Sequence, residues 1–415
     1  MNNITPINYI SHIKKYHKIY LYLIMIIFGI TSGFSNIKIL HTLGTICADL
    51  FIKMFQFISL PIIMLSLMTT ISSHSLEGPY KKIWNKTILY TLSTTITAAT
   101  VAYILYNIIK PKLTLLQNSD FILPKTIENI DYLKHLTNII PNNILEPFLH
   151  HQVISILLMA LLFGFAIRFI PDLKHKETVI AFIKGLYSVF IIIAQAIIAI
   201  LPIGLFGFIT TTIIQFRQGA NIAGIGEYLI VIISANLVQG LIVLPIWLAC
   251  NKLSPFKTMQ KMMPALTVAF FSKSSSGTLP ITINAAENNL KINPKVARIV
   301  LPLCTTINMN GCAAFIFTTV IYVMQSNGYI VSNIDMILWV LVATIAAIGN
   351  AGVPMGCFFL SASLISGMDI PITLLGLILP FYSVIDMVET SLNVWSDSCV
   401  TCIIDQKIAQ KVDQL

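Results

Sequence analysis

The sequence predicts an all-α polytopic membrane protein, and three observations support that fold class. Of the 415 residues, 56% are apolar and only 10% are charged, whereas a soluble surface needs roughly a quarter to a third of its residues charged. Apolar runs recur along the whole chain, and one spanning helix takes about 20 apolar residues. The basic residues cluster between these runs, where they set membrane topology. We therefore expect the lipid bilayer as a partner, and no nucleic acid.

Eight apolar runs are interpreted as membrane spans. They cover residues 19–34, 47–70, 87–109, 152–170, 179–214, 227–250, 295–324 and 371–404. If the N-terminus is cytoplasmic, every cluster of Lys and Arg falls at a cytoplasmic end, as the positive-inside rule requires. The polar stretch 111–150 is then an external loop with a short surface helix. We expect a multi-pass protein of the plasma (cytoplasmic or inner) membrane with both termini in the cytoplasm.

Two further segments each divide into two apolar pieces that are too short to span. In residues 262–290 the pieces flank the polar stretch 272–278, and in residues 335–368 they flank 349–356. Non-helical backbone at membrane depth is tolerated only where protein buries it or it lines a cavity. The pattern predicts two opposed re-entrant helical hairpins within inverted repeats, 262–324 and 335–404, as in secondary transporters. Two ordinary spans kinked by Gly and Pro are the alternative interpretation.

The last apolar run carries an unusual set of polar side chains. At 100° per residue they share one narrow helical face. They are Asp386, Glu389, Thr390, Asn393 and Asp397. Ionisable residues within a lipid-embedded helix indicate function by default, and buried carboxylates need a cation or a proton nearby. Lys273, at the tip of the first hairpin, is the obvious internal basic partner.

These residues indicate cation-coupled uptake of a solute that bears a carboxylate. Carboxylates and the carbonyls of broken helices offer hard oxygen ligands for alkali cations, and the N-termini of half-helices suit a substrate carboxylate. The run from Asn308 to Gly311, which follows Pro302, predicts an unwound stretch in the seventh span that offers more backbone oxygens.

An embedded serine hydrolase is the enzyme alternative, because Ser274, Ser275 and Ser276 are adjacent. All eight His residues lie at or before His175, so no base for a serine nucleophile is expected, and we expect no enzyme. The seven cysteines indicate no disulfide framework. The lone Cys-x-x-Cys at Cys399 is interpreted as helix packing rather than a metal or redox pair.

Four motifs resemble the dicarboxylate/amino acid:cation symporter family, the glutamate-transporter homologues. They are Ser274-Ser-Ser-Gly-Thr-Leu-Pro280, Asn308-Met-Asn-Gly311, Ala351-Gly-Val-Pro354 and Asp386-x-x-Glu-Thr-x-x-Asn-x-x-x-Asp397. The resemblance implies an elevator-type transporter that assembles as a homotrimer. It implies scaffold spans 1–3 in residues 1–110, with span 3 bordering the transport part, and scaffold spans 4–5 and span 6 in 151–256. The transport part, 257–415, would contain both hairpins and the last two spans.

The resemblance also implies a substrate site. The Ser275 amide and Asn393 would hold the substrate α-carboxylate, and Asp386 and Thr390 would hold its amino group. The other implied substrate-binding residues are Lys273, Ser274, Ser276, Cys312, Gly352, Val353, Pro354 and Glu389.

Sodium is the implied coupling ion, with protons as the alternative and no other cofactor. Asp397, with backbone oxygens of Cys304, Asn308 and Asn393, would form one sodium site. Thr306 and the carbonyls of Ala347, Ile348 and Asn350 would form a second. A third would use Thr94, Thr95 and Asn308, with Asn310 at the position of its carboxylate.

Three positions depart from the family pattern. Glu389 stands where members that carry acidic amino acids have Arg, Asn310 stands where the family has Asp, and Cys312 stands where Thr is frequent. Glu389 in place of that Arg is similar to the serine/threonine transporter branch of the family, so the implied substrate is a small neutral amino acid. Acidic amino acids or C4-dicarboxylates are the alternative substrates, and an anion-conducting channel is a more remote one. We also expect Glu389 and Lys273 to pair across the site.

Overall fold

The computed structural model describes residues 21, 23–72, 80–114, 141–150, 152–217, 224–350, 355–368 and 370–412. Within these residues the regular structure is helical, and no strand occurs. The helices in chain order are α1 Leu23–Phe34, α2 Lys38–Ser72, α3 Tyr80–Ile109, α4 Glu146–Leu149, α5 Val153–Arg168, α6 Leu173–Ala199, α7 Leu201–Arg217, α8 Gly224–Cys250, α9 Pro255–Ser272, α10 Ser275–Asn288, α11 Pro294–Ile307, α12 Asn310–Ser326, α13 Asn333–Ile348, α14 Gly356–Ser366 and α15 Thr373–Val412.

Five described helical stretches are long and apolar enough to cross a membrane. They are Ile83–Ile109, Leu173–Ala199, Gly224–Cys250, Pro294–Ser326 and Thr373–Lys407. The all-helical membrane class predicted from composition is therefore confirmed, whereas the number of eight spans stays a prediction.

The apolar run 179–214 is not one helix, although a single span was expected there. It lies in α6 and α7, which meet at Ile200. Pro202 stands in the first turn of α7, the place where a helix tolerates a residue without a backbone N–H. Periodicity could not reveal this break, because both sides of it are equally apolar.

One group of helices is built around α2, which packs against α5, α6 and α7. Small residues let the backbones of α2 and α7 approach closely. A Cβ added to Gly207 would lie 2.5 Å from the backbone nitrogen of Ala48, so only glycine fits at this crossing.

The second group surrounds α12, which packs against α3, α8, α13, α14 and α15. Every residue of α12 except Gln325 is buried, and a helix that is apolar all round belongs in a protein interior. The outer surface of the molecule is apolar as well, with side chains such as Ile108 at 70% and Leu162 at 62% exposure. Such a surface suits hydrocarbon rather than water.

Two of the breaks between helices fall where the sequence predicts them. Lys273, with φ 54°, separates α9 from α10, and the Ser274 side chain caps α10 by accepting from the Gly277 N–H at 3.1 Å. Asn308 and Met309 leave helical geometry between α11 and α12. The turn 351–354 between α13 and α14 lies outside the described residues.

Candidate functional site

Residues at the breaks between helices lie against the middle of α15, and together with it they enclose a small cavity. Most of its lining is polar, although the helices around it are apolar. The lining residues are Lys273, Ser275, Met309, Cys312, Asn350, Asp386, Glu389, Thr390 and Asn393.

The face of α15 predicted from helical periodicity forms one wall of this cavity. Asp386, Glu389, Thr390 and Asn393 follow one another at spacings of three, one and three residues, so their side chains lie on one side of the helix. All four are at most 5% exposed. The fifth member of the face, Asp397, is buried one turn beyond the cavity.

Asp386 lies against the start of α14. Its Oδ2 accepts a hydrogen bond of 3.4 Å from the Met355 N–H, and Met355 holds a left-handed conformation with φ 62°. The N-terminal amides of a helix carry partial positive charge, so this position stabilises a carboxylate. The Thr390 side chain hydrogen-bonds the same carboxylate.

Asn393 joins α15 to the first turn of α12. Its Oδ1 accepts from the Gly311 N–H at 2.8 Å. A Cβ added to Gly311 would lie 2.7 Å from the Cα of Glu389. Glycine at this position therefore lets α12 approach the polar face of α15.

The expected ion pair between Lys273 and Glu389 is wrong, although both side chains line the cavity. Lys273 Nζ donates to Ser383 Oγ at 3.0 Å, and its charge attracts the Asp386 carboxylate. Glu389 Oε2 accepts from the Tyr382 hydroxyl at 3.5 Å. Lys273 itself has a left-handed backbone at the hairpin turn, and its ammonium group reaches Ser383, which lies nearly two helical turns before Glu389 on α15.

The three adjacent serines have different surroundings. Ser275 is buried and lines the cavity, whereas Ser274 faces its own helix as the cap and Ser276 is exposed on α10. Gly352, Val353 and Pro354, also expected at the substrate, lie outside the described residues.

Asp397 contacts Asn308, which lies in the non-helical break between α11 and α12. Its Oδ1 accepts from Asn308 Nδ2 at 2.9 Å, and the same amide donates to Ser396 Oγ at 2.9 Å. The backbone carbonyl of Cys304 accepts from the Asn308 N–H at 2.8 Å. Asp397 is 1% exposed, and within the described chain no Lys, Arg or His lies at ion-pair distance from it. The group offers oxygen ligands and negative charge for a cation.

Two residues of the second expected cation set lie at the end of α13. Ala347 and Ile348 are the last two residues of that helix, where carbonyls carry partial negative charge. Thr306 directs its hydroxyl to the Leu303 carbonyl at 2.8 Å. Asn350, expected in this set through its carbonyl, also lines the cavity.

The third expected cation set is an amide network. Asn308 Oδ1 accepts from Thr94 Oγ1 at 2.8 Å and from Asn310 Nδ2 at 2.9 Å. Gln239 Nε2 donates to Asn310 Oδ1 at 2.8 Å. The Thr95 hydroxyl donates within its own helix, to the Thr91 carbonyl at 2.8 Å.

Sequence reasoning missed several residues of the site. Gln239 and Ser396 complete the network, and Met309 lines the cavity. A glutamine within an apolar span was the available signal for the first. Nothing in the sequence distinguishes Ser396 from a packing residue.

Cys312 and Cys357 were not expected to pair, yet the structure joins them. Their sulfurs are in bonding contact and their Cα atoms are 5.3 Å apart, although 45 residues separate them in the chain. Cys312 lies on α12 and Cys357 on α14, and this contact depends on the packing of those two helices.

Comparison with known proteins identifies the family that this chain matches. Residues 19–407 match the model of the sodium:dicarboxylate symporter family. A Caenorhabditis elegans protein named "Putative sodium-dependent excitatory amino acid transporter glt-4" is 26% identical over 86% of this chain and 81% of its own length. Mouse excitatory amino acid transporter 3 is 28% identical over 64% of this chain and 50% of its own length. Mouse neutral amino acid transporter B(0) is 25% identical over 60% of this chain and 45% of its own length. The chain thus aligns with about half the length of these mouse relatives.

Proposed function

Because the chain belongs to the sodium:dicarboxylate symporter family, we propose that it couples sodium entry to the uptake of a small neutral amino acid such as serine, threonine or alanine. The family is one of transporters, and the relatives include proteins named for excitatory and for neutral amino acids. The choice between these substrates depends on the charge of the cavity.

The proposal of a neutral substrate rests on Glu389. The cavity wall contains two carboxylates, Asp386 and Glu389, and one ammonium group, Lys273. Lys273 attracts Asp386 and donates to Ser383, so the Glu389 charge is left without a basic partner among the described residues. An acidic side chain beside Glu389 would add repulsion in a region of low dielectric, whereas a hydroxymethyl or methyl group would not.

The zwitterionic end of an amino acid fits the remaining groups. Asp386 and Thr390 offer acceptors for an ammonium group. The Ser275 amide at the N-terminus of α10 and the Asn393 side chain offer donors for a carboxylate. Asp397 with Asn308, and the end of α13 with Thr306, are the two sodium sites in this proposal.

We also propose the expected membrane architecture, eight spans with two opposed re-entrant hairpins. The short hairpin helices support it: α10 has 14 residues and α14 has 11. At 1.5 Å per residue these helices are about 21 and 17 Å long, well below the roughly 30 Å of a hydrocarbon core. Inverted repeats, the cytoplasmic membrane as location and both termini in the cytoplasm belong to the same proposal.

The proposed moving part is residues 257–415, within an elevator-type homotrimer. Because α3 and α8 pack against α12, we propose that these two helices move together with the transport part. The group around α2, with α5, α6 and α7, would then be the scaffold.

Acidic amino acids or dicarboxylates are the second candidate class. The observation in their favour is Lys273, whose ammonium group lines the cavity and offers a partner for a substrate carboxylate. In this case the substrate would displace Ser383 from the Lys273 ammonium.

Uptake into proteoliposomes tests the proposal. With an inward sodium gradient, labelled serine should accumulate, and unlabelled threonine and alanine should compete for its uptake. Aspartate, glutamate and succinate should compete weakly. A proton gradient in place of sodium should not drive accumulation. Accumulation of aspartate or succinate that serine does not inhibit would overturn the neutral substrate. Uptake that neither saturates nor needs a cation gradient would indicate a channel.

A further inference from the structure

We propose that Cys312, Cys357 and Glu389, with the two cysteines reduced, form a binding site for a thiophilic divalent cation such as Zn²⁺. Their ligand atoms, two sulfurs and a carboxylate oxygen, lie within 4.8 Å of one another. The exposed fractions of the three residues are only 2%, 1% and 1%. Two thiolates and a carboxylate, with a fourth position open, are a ligand set that zinc accepts.

Glu389 supplies an independent indication of a ligand at this place. Its Oε1 has no hydrogen-bond partner among the described residues, and its Oε2 accepts a long bond, 3.5 Å, from the Tyr382 hydroxyl. A buried carboxylate oxygen without a partner keeps the full cost of losing its water. A cation held by the neighbouring sulfurs would give that oxygen a ligand bond.

The backbone positions of the two cysteines suit a shared ion. Their Cα atoms are 5.3 Å apart on α12 and α14, so rotation about the side-chain bonds can separate the sulfurs without moving either helix. Asn350 Nδ2 contacts both sulfurs, at 2.9 and 3.4 Å, while its Oδ1 has no partner among the described residues. A reversed amide would direct Oδ1 towards an ion on the sulfurs as a fourth ligand.

The site exists only when the sulfur–sulfur bond is broken. A phosphine reductant cleaves that bond, takes an oxygen atom from water to become the phosphine oxide, and leaves two thiols. Binding of one divalent cation then releases the two thiol protons. The net charge of the site is unchanged by this exchange, so the ion adds no uncompensated charge to the interior.

A bound ion would also act on the cavity. Cys312 and Glu389 line it, and Cys357 is in the first turn of α14, just after the N-cap residue Met355, whose N–H donates to Asp386. The ion would tie α12, α14 and α15 together beside the proposed position of the substrate side chain. We therefore expect the cation to inhibit transport, in addition to any role of sodium in driving it.

Cadmium binding to the full chain in detergent tests the site without reference to any transported substrate. The protein is reduced with a phosphine, freed of reductant under nitrogen and titrated with Cd²⁺ by calorimetry and ultraviolet absorption. We expect one tight Cd²⁺ per chain, release of two protons and a thiolate-to-cadmium absorption band. The same protein reoxidised to the disulfide should not bind, and this comparison needs no variant.

Variants identify the ligands. Cys312→Ser and Cys357→Ser should each weaken cadmium binding by about a hundredfold or more, and Glu389→Gln by about tenfold, as fewer ligands hold the ion. The double variant Cys399→Ser/Cys402→Ser is the matched control, since it removes two buried thiols of α15 that lie apart from Glu389. Its cadmium affinity should equal that of the wild type. Absence of binding to the reduced wild type, or binding that survives loss of both Cys312 and Cys357, would overturn the proposal.

Discussion

Gln239 Nε2 donates a hydrogen bond of 2.8 Å to Asn310 Oδ1, across the contact between α8 and the start of α12. Gln239 lies in a π-helical turn of α8 and is fully buried. The same amide group of Gln239 donates to the Thr94 carbonyl at 3.1 Å. Amide hydrogens thus occupy the place where the third expected cation site would need oxygen ligands, so we expect coupling to two sodium ions.

Asn310→Asp should add a third sodium ion to the transport cycle. Asn310 Nδ2 now donates to Asn308 Oδ1 at 2.9 Å and to Ser396 Oγ at 3.0 Å. A carboxylate oxygen there would face the Asn308 oxygen, and a buried charge left alone costs about 3–5 kcal/mol, so a cation should bind. The reversal potential of serine uptake measures the sodium ratio. Asn310→Ala, which adds no charge, is the control. An unchanged ratio in Asn310→Asp would contradict the expectation.

Asp397→Asn should weaken sodium activation of transport. The substitution keeps the size of the side chain and removes the charge that a sodium ion would neutralise. We expect the half-saturating sodium concentration to rise at least about tenfold, which corresponds to about 1.4 kcal/mol. Asp405→Asn is a matched control on the same helix, because Asp405 is only partly buried and accepts from the Asn293 N–H at 3.2 Å. Unchanged sodium activation in Asp397→Asn would exclude Asp397 as a ligand.

Asp386→Asn should reduce serine affinity about ten- to hundredfold, because a hydrogen bond to a charged group contributes about 1.5–3 kcal/mol. The new side chain can still accept from the Met355 N–H, so folding should persist. Serine-dependent changes in the melting temperature measure the affinity. Ser391→Ala is the control on the same helix, since its hydroxyl contacts the Leu266 carbonyl outside the cavity. Better transport of dicarboxylates without an amino group by the wild type would refute the ammonium-binding role of Asp386.

Glu389→Arg should shift specificity towards acidic substrates. A guanidinium at this position offers paired donors to a side-chain carboxylate, and Lys273 is not bound to Glu389, so no ion pair has to break. We expect aspartate to inhibit serine uptake at a concentration at least about tenfold lower than in the wild type. Glu389→Gln is the control for loss of the charge alone and should produce a smaller shift. If the same substrates inhibit serine uptake in the same order in both variants and in the wild type, Glu389 does not determine substrate selectivity.

Gly311→Ala should destabilise the fold around the cavity. The added Cβ would lie 2.7 Å from the Glu389 Cα and 3.0 Å from Asn236 Oδ1, and such overpacking costs about 1–3 kcal/mol. A lower melting temperature in detergent is the expected result. Gly226→Ala on α8 is the matched control, because no heavy atom lies within 4 Å of its added Cβ. Equal melting temperatures for the two variants would show that α12 can move away from α15.

Helical periodicity accounts for the part of the site that was predictable. Asp386, Glu389, Thr390 and Asn393 share a wall of the cavity because residues three and four apart on one helix face the same way. The breaks near Lys273 and Asn308 were predictable from polar residues within apolar runs. The same reasoning could not choose which carboxylate Lys273 approaches, since Asp386 and Glu389 are one helical turn apart and the direction of a side chain at a turn depends on its backbone conformation.

The sequence by itself determined the membrane class, the order of the broken helices and the polar face of α15, because these depend on composition and on local spacing. Only the tertiary structure decided the contacts between distant segments. Gln239 meets Asn310 and Cys312 meets Cys357 because α8, α12 and α14 pack side by side. Such contacts depend on how helices cross and rotate against each other, and an apolar helix that is buried on every side, like α12, carries no pattern that fixes its rotation.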